Sequence, residues 1–398
     1  MGGRHKRLGL TGPAGLLLVA GWLEVLVSNL CAQVPPGWEL VQITDDSDYD
    51  ARPSLNNCRQ VVFSKRINNS IPDEEIFLWD GGQLTRLTDD GVNDFIPNIN
   101  DQGTITWSRA VGVNASWEIA IRHAGETTVL TDNALDDFAP RLNELDHLVW
   151  DRTTGGQCGE SDIYYYDGAR TLQLTVENMS NQGATLNDAD QIAWTKYDFC
   201  VSPWLSTIML HSGGKTLPMT SGLQGDQAPQ INNRLEIVWD GPGQPGHHGV
   251  WLQNSETLIQ VTDDGTVPRI NNRGTIMFNR WYGGMEFQIW TYLDGAFTQM
   301  TAFPGWKFGK AINDHGDIAL EVGQFPTTDI FLLRSLRHIP DVDADGDTDL
   351  GDLATMQRCF HLHECALGAV CSFSDLNVDQ FVDLGDFADF LVQFNGPN

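Results

Sequence analysis

Two short stretches near the carboxyl end carry the most specific chemistry in the chain. Asp341, Asp343, Asp345, Asp349 and Asp352 place carboxylates at positions 1, 3, 5, 9 and 12 of a loop in which Asp347 offers its backbone carbonyl at position 7 and Gly346 takes the sharp turn. Oxygen donors at that spacing around a glycine turn are what a calcium ion requires. After 34 residues the pattern recurs as Asp375, Asn377, Asp379, Asp383 and Asp386, with the Phe381 carbonyl at position 7 and Gln380 where the turn glycine would be. Two bound Ca²⁺ are therefore expected. The second should be the weaker, because a non-glycine residue at left-handed φ costs about 1–2 kcal/mol. Residues 341–398 hold eleven Asp, one Glu and a single Arg, a net charge of −11 that needs cations to fold around.

Each loop leads into an amphipathic run, Leu353, Met356 and Phe360 after the first and Phe387, Phe390, Leu391 and Phe394 after the second, at helical spacing. Pro340 directly precedes the first loop and Cys371-Ser-Phe-Ser the second, so neither has a helix before it. Loop-then-helix, duplicated, with Asp at position 12, resembles a type I dockerin over residues 341–396. The resemblance implies calcium-dependent folding and, as partner, a cohesin-like domain on another secreted protein. At positions 10 and 11 the chain has Leu350-Gly351 and Leu384-Gly385, where cohesin-binding dockerins commonly carry Ser or Thr pairs. Cys359 and Cys371 are placed to staple the linker between the two halves, a form similar to the tails of exported planctomycete-type bacterial proteins.

This module, residues 338–398, needs a scaffold, and the remaining chain is long enough to supply one. At 398 residues, two to three domains are expected. The formal charge of −29 repels phosphate backbones and anionic lipid headgroups, which sets aside nucleic acid and polybasic membrane attachment. Arg4, Lys6 and Arg7 precede an apolar run from Leu16 to Leu23 and a small residue at Ala32, the pattern of a secretory signal peptide over residues 1–32. No later segment is apolar enough to span a membrane. The expected location is extracellular or at the cell surface, with the periplasm as alternative.

Residues 33–337 are repetitive. A threonine follows an apolar residue at Thr44, Thr88, Thr131, Thr175, Thr220, Thr262 and Thr301, at spacings of 44, 43, 44, 45, 42 and 39. In step with it run Asn56, Asn100, Asn143, Asn187, Asn232, Asn271 and Asn313, with Pro53, Pro97, Pro140, Pro229 and Pro268 three residues before five of them. Seven residues after each asparagine stands Phe63, Trp107, Trp150, Trp194, Trp239, Phe278 or Leu320, expected to fill the space between neighbouring units. Four short strands fit each unit, as in Ile96–Asn100, Thr104–Arg109, Glu118–Arg122 and Thr127–Thr131, which makes a four-stranded antiparallel blade. The last unit supplies only three strands, and Trp38–Thr44 reads as the missing fourth, closing a seven-bladed propeller. The fold class expected is all-β propeller followed by a small α-helical calcium module. The line Leu87-Thr88-Asp89-Asp90, Pro97, Asn100, Gly103, Ile105, Trp107, Glu118-Ile119 resembles TolB-like and WD-like propeller repeats over about residues 36 to 335.

In such a propeller one end gathers two sets of loops. Between units lie Asp45, Asp46, Asp48, Asp50, Asp89, Asp90, Asp94, Asp132, Asp136, Asp137, Asp226, Asp263 and Asp264; between the second and third strands lie Trp117, Tyr197, Phe199, Trp204, His247, His248, Trp281 and Tyr282. An acidic rim with aromatics suits sugar stacking or cation-mediated binding. Cys158 and Cys200 occupy matched loops of consecutive units and form a candidate disulfide. No Gly-x-Ser-x-Gly, His-Glu-x-x-His or Walker loop occurs, so no catalytic residue is assigned. The expected function is an exported binding protein whose propeller meets a glycan or protein ligand. A carbohydrate-active enzyme (polysaccharide lyase or glycoside hydrolase) and a periplasmic TolB-like interaction protein are the alternatives.

Overall fold

A computed structural model describes residues 34–67, 74–111, 116–156, 159–222, 225–324, 327–336, 350–359, 374, 376 and 381–393. The signal-peptide reading lies outside them. The unit read from sequence at 96–131 forms strands Asp94–Ile99, Ile105–Val111, Ser116–His123 and Glu126–Val129, hydrogen-bonded in that order as an antiparallel meander. The same order recurs along the chain, with inner strands Tyr49–Leu55, Asp137–Leu142, Ser180–Leu186, Gln227–Ile231, Gly265–Ile270 and Lys307–Ile312. Single parallel bridges, Tyr49 to Thr328 and Ser161 to Ser180, link the inner strand of one meander to the third strand of the meander before it. The amino-terminal strand Trp38–Gln42 pairs antiparallel with Thr327–Ser335, so the first and last units share one sheet and its free edge is covered.

Each repeated residue type has a local cause. Six of the threonines accept, on Oγ1, the backbone N–H of an Ile at 2.9–3.1 Å, as Thr88 does from Ile76 and Thr44 from Ile330, which latches the outer strand to the third. The asparagine Oδ1 accepts the N–H four residues on, closing the turn to the second strand in every unit. Gly103, Gly274 and Gly316 there take φ of 74–85°. The prolines fall in a β-bulge where the inner strand shifts register against the second, as between Phe95 and Asn98 or Thr266 and Arg269, a place that needs no N–H from proline. Trp107 and Trp150 are fully buried and pack on the preceding unit, Trp107 on Val62 and Ile76, Trp150 on Ile119. Their indoles also donate to the first residue of their own inner strand, Asp94 and Asp137, both at 2.8 Å.

Two helices follow, α1 (Leu350–Cys359) and α2 (Leu384–Gln393). Met356, Cys359, Leu376, Val382 and Phe390 form one buried cluster with Leu353 and Phe387 against it, while Phe360 and Phe394 lie outside the described residues. Leu391 does not join them and is exposed. No helix among the described residues is long and apolar enough to cross a membrane.

Candidate functional site

The inner strands surround a cavity of about 460 Å³. One end is rimmed by a hydrogen-bonded circle: Asn56 Nδ2 donates to the Asn100 carbonyl, Asn100 to Asn143, Asn143 to Asn187, Asn187 to Asn232, Asn232 to Asn271, Asn271 to Asn313, and Asn313 back to Asn56, at 2.8–3.2 Å. One residue further on, a second circle runs beside it. The side chain of each of Asp101, Glu144, Asp188, Asn233, Asn272, Asp314 and Asn57 accepts the N–H of its counterpart in the preceding unit, at 2.7–3.0 Å. Four of these side chains are acids crowded at one mouth. Burial first and neighbouring carboxylates second push Glu144 up to about 8 and Asp101 up to about 6.

Halfway along the cavity the charge reverses. The bulge turns Arg141, Arg269, Asn98, Thr185 and Gln230 toward it, and Lys310 joins them from the last inner strand. Burial, and then the charge of Arg141, lower Arg269 to about 10. Nearby acids bind backbone as well as facing these cations. Asp151 accepts the N–H of Gly183 at 2.8 Å, Asp240 that of Val267 at 2.7 Å and Glu321 that of Arg52 at 2.7 Å, each holding the bulge of the next unit. The sequence reading missed this band. Its members come from six units, five of them two residues before the repeat asparagine, but the residue type at that position varies from unit to unit and so gives no pattern of its own.

At the opposite end lie the loops expected to bind. Phe199, Trp281 and Tyr282 are 44%, 46% and 51% exposed, large apolar surfaces left in water. Tyr197 stacks on Phe199 with centroids 4.9 Å apart, Trp204 leans on both, and His247 lies 5.7 Å from Trp281. His248 is exposed as well. Trp117 is different, packed between Phe95 and Phe138. The acidic rim is thinner than expected. Asp50, Asp94, Asp137 and Asp226 are buried, where they anchor Lys65, Arg109, Arg152 and the blade tryptophans. Asp45, Asp46, Asp89, Asp90, Asp132 and Asp263 are exposed, and Asp48, Asp136 and Asp264 half-buried.

Among the described residues, Glu75, Asp90 and Asp94 bring carboxylate oxygens within 4.8 Å of one another. Arg86 pairs with Glu75 at 3.0 Å, and Arg109 with Asp94 at 2.9 Å and with Asp90. Burial raises Asp94 to about 7 against the pull of Arg109. In the next unit Asn133 stands where Asp90 does, and its amide bridges Glu118 at 3.1 Å and Asp137 at 2.8 Å. This junction is a recurrent polar joint between units.

Of the calcium-loop residues, Asp352, Phe381, Asp383 and Asp386 are described; Asp341, Asp343, Asp345, Asp347, Asp349, Asp375, Asn377 and Asp379 lie outside the described residues, as do Cys158 and Cys371. Asp352 and Asp386, both at loop position 12, are fully buried in the first turn of α1 and α2. Asp386 accepts the Asp383 N–H at 2.7 Å. Phe381 is 53% exposed. A set of carboxylates, one amide and backbone carbonyls fits a hard cation such as Ca²⁺.

No protein-family model and no curated protein matches the chain. Solved structures do. The β-propeller domain of the trilobed protease from Pyrococcus furiosus is 12% identical, with 73% of this chain and 96% of that domain covered and a TM-score of 0.57. The acylaminoacyl peptidase of Pyrococcus horikoshii is 13% identical, with 76% and 54% covered and a TM-score of 0.54, so the chain spans about half of that enzyme. A streptogramin B lyase is 12% identical, with 77% and 99% covered and a TM-score of 0.53. The Pyrococcus furiosus domain is described as having an open velcro topology, whereas here the amino-terminal strand pairs with the last unit. The repeated meanders, the circle of asparagines and these likenesses together give residues 38–335 a β-propeller fold.

Proposed function

We propose that the chain is an exported binding protein: a seven-bladed propeller presents a ligand-binding end, and a dockerin-like module of residues 338–398, holding two Ca²⁺, attaches it to an extracellular assembly through a cohesin-like partner. The observation that carries the binding end is the exposure of Phe199, Trp281 and Tyr282 on loops that share one end of a rigid ring. Flat rings open to water, next to Asp and His side chains, favour a glycan as ligand over a purely apolar one. The module reading rests on the duplicated oxygen spacing and on the buried acids that open both helices. Disulfides Cys158–Cys200 and Cys359–Cys371 belong to the same reading. The half-buried His247 beside the exposed Trp281 keeps a carbohydrate-active enzyme as the second reading, and a periplasmic TolB-like interaction protein stands as the third.

The test is a screen of the full chain, in calcium, against glycan and secreted-protein panels, followed by Phe199→Ala, Trp281→Ala and Tyr282→Ala. Loss of stacking worth about 1–2 kcal/mol per ring corresponds to a drop of about tenfold in affinity. Ligands retained at full affinity by all three variants would remove the loop end from the account. Turnover of a uronate-containing polysaccharide would move it to the second reading.

A further inference from the structure

The cavity at the centre of the propeller has a feature that neither the loop end nor the calcium module uses. Arg141 and Arg269 come from inner strands three units apart, yet both line it, and the charge of one depresses the other. Among the described residues no carboxylate lies within ion-pair distance of either guanidinium. Arg141 Nη1 donates to the Pro140 carbonyl at 3.1 Å, and Arg269 donates from Nε to the Lys310 carbonyl at 2.8 Å and from Nη1 to the Pro268 carbonyl at 2.9 Å. Each guanidinium carries five N–H groups, so most of the pair's donors are not used by the protein. Asp151 and Asp240 attract Arg141 and Arg269 respectively from beyond ion-pair distance, while their oxygens accept backbone N–H groups at the bulges. Lys310 adds a third cation, paired to Glu321 at 3.3 Å. Two like charges facing one low-dielectric space repel, and in a chain of formal charge −29 nothing in the composition requires them there.

We infer that this cavity is a binding site for a tetrahedral oxyanion, phosphate or sulfate, held between the guanidinium forks of Arg141 and Arg269 with Lys310 alongside. A dianion offsets the charge of the pair, and its oxygens accept the idle N–H groups as charge-assisted hydrogen bonds. Asn98, Thr185 and Gln230 line the same cavity and are neutral, so they add hydrogen bonds without adding repulsion. Asp188 and Asp314 fringe the mouth at the asparagine circle and disfavour the passage of an anion there. The site is distinct from the exposed aromatics and stands or falls apart from them.

Sodium sulfate and sodium phosphate, titrated calorimetrically into the full chain against sodium chloride of matched ionic strength, test this. One saturable site is expected for the wild type, and Arg141→Gln and Arg269→Gln should each weaken it about tenfold or more. On adding sulfate the wild type should gain more melting temperature than either glutamine variant, the gain the variants share being the general stabilisation that sulfate gives any fold. Arg141→Lys, which keeps the charge and loses the fork, should bind at an intermediate strength. Absence of saturable binding to either oxyanion, or binding that both glutamine variants keep, overturns the assignment.

Discussion

Single residues here are chosen by what the backbone of the next repeat needs. Asn100 shows it most fully: Oδ1 accepts the Thr104 N–H at 2.9 Å, while Nδ2 donates to the Asn143 carbonyl at 3.0 Å and to Asp146 at 2.8 Å. Asn100→Ala should lower stability by about 2–4 kcal/mol, because it leaves buried groups of two units unpaired; chemical denaturation of the variant measures it. Glu144 supplies a second case, through pH. Its carboxyl sits at about 8 when folded, above its ordinary value, so its contribution is favourable at low pH and is lost as pH rises through about 8. Glu144→Gln keeps an oxygen for the Asp101 N–H and cannot ionise. The variant should match wild-type melting near pH 5 and exceed it at pH 9, whereas parallel profiles would show that the group carries no such load. The asparagine, threonine and aromatic registers were legible from sequence because each is a strong local preference repeated at one period. Arg141 and Arg269 were not, since they are 128 positions apart and only ring closure brings them together.

At the scale of elements, the joint between the two ends of the chain bears most. Trp38–Gln42 pairs with Thr327–Ser335 along its whole length, Ile43 donates to the Ile330 carbonyl at 2.9 Å, and Val41, Ile43, Trp38 and Leu40 pack on the buried clusters of the first and last units. Deleting residues 33–44 should expose that sheet edge and lower the propeller's melting temperature by a wide margin; an unchanged midpoint would mean that the ring holds without the strand. The strand was legible because it has the outer-strand pattern, ending at Thr44, with nothing before it. Loop charges were harder to read. Asp94 and Asp89 look alike in sequence, but the first opens an inner strand beneath an indole and is buried, and the second stays in the turn.

At the scale of the whole molecule, the account joins a rigid ring, held by circles of side chains rather than by one core, to a small module that folds around cations. The two should respond to pH in opposite directions, since buried acids such as Asp94 and Glu144 favour low pH while the proposed calcium ligands must be ionised to bind. Non-reducing peptide mapping of the chain should recover Cys158–Cys200 and Cys359–Cys371, and pairs crossing from ring to module would contradict the two-part organisation. The central claim, a propeller carried on a calcium-dependent attachment module, is tested most directly by calcium calorimetry on the full chain beside the chain ended at residue 337. The full chain should bind two ions, the truncated chain neither of them; Asp345→Ala should lose the first-loop event, and Gln380→Gly should tighten the weaker one. Fewer than two ions bound by the full chain, or two still bound after truncation, would contradict it.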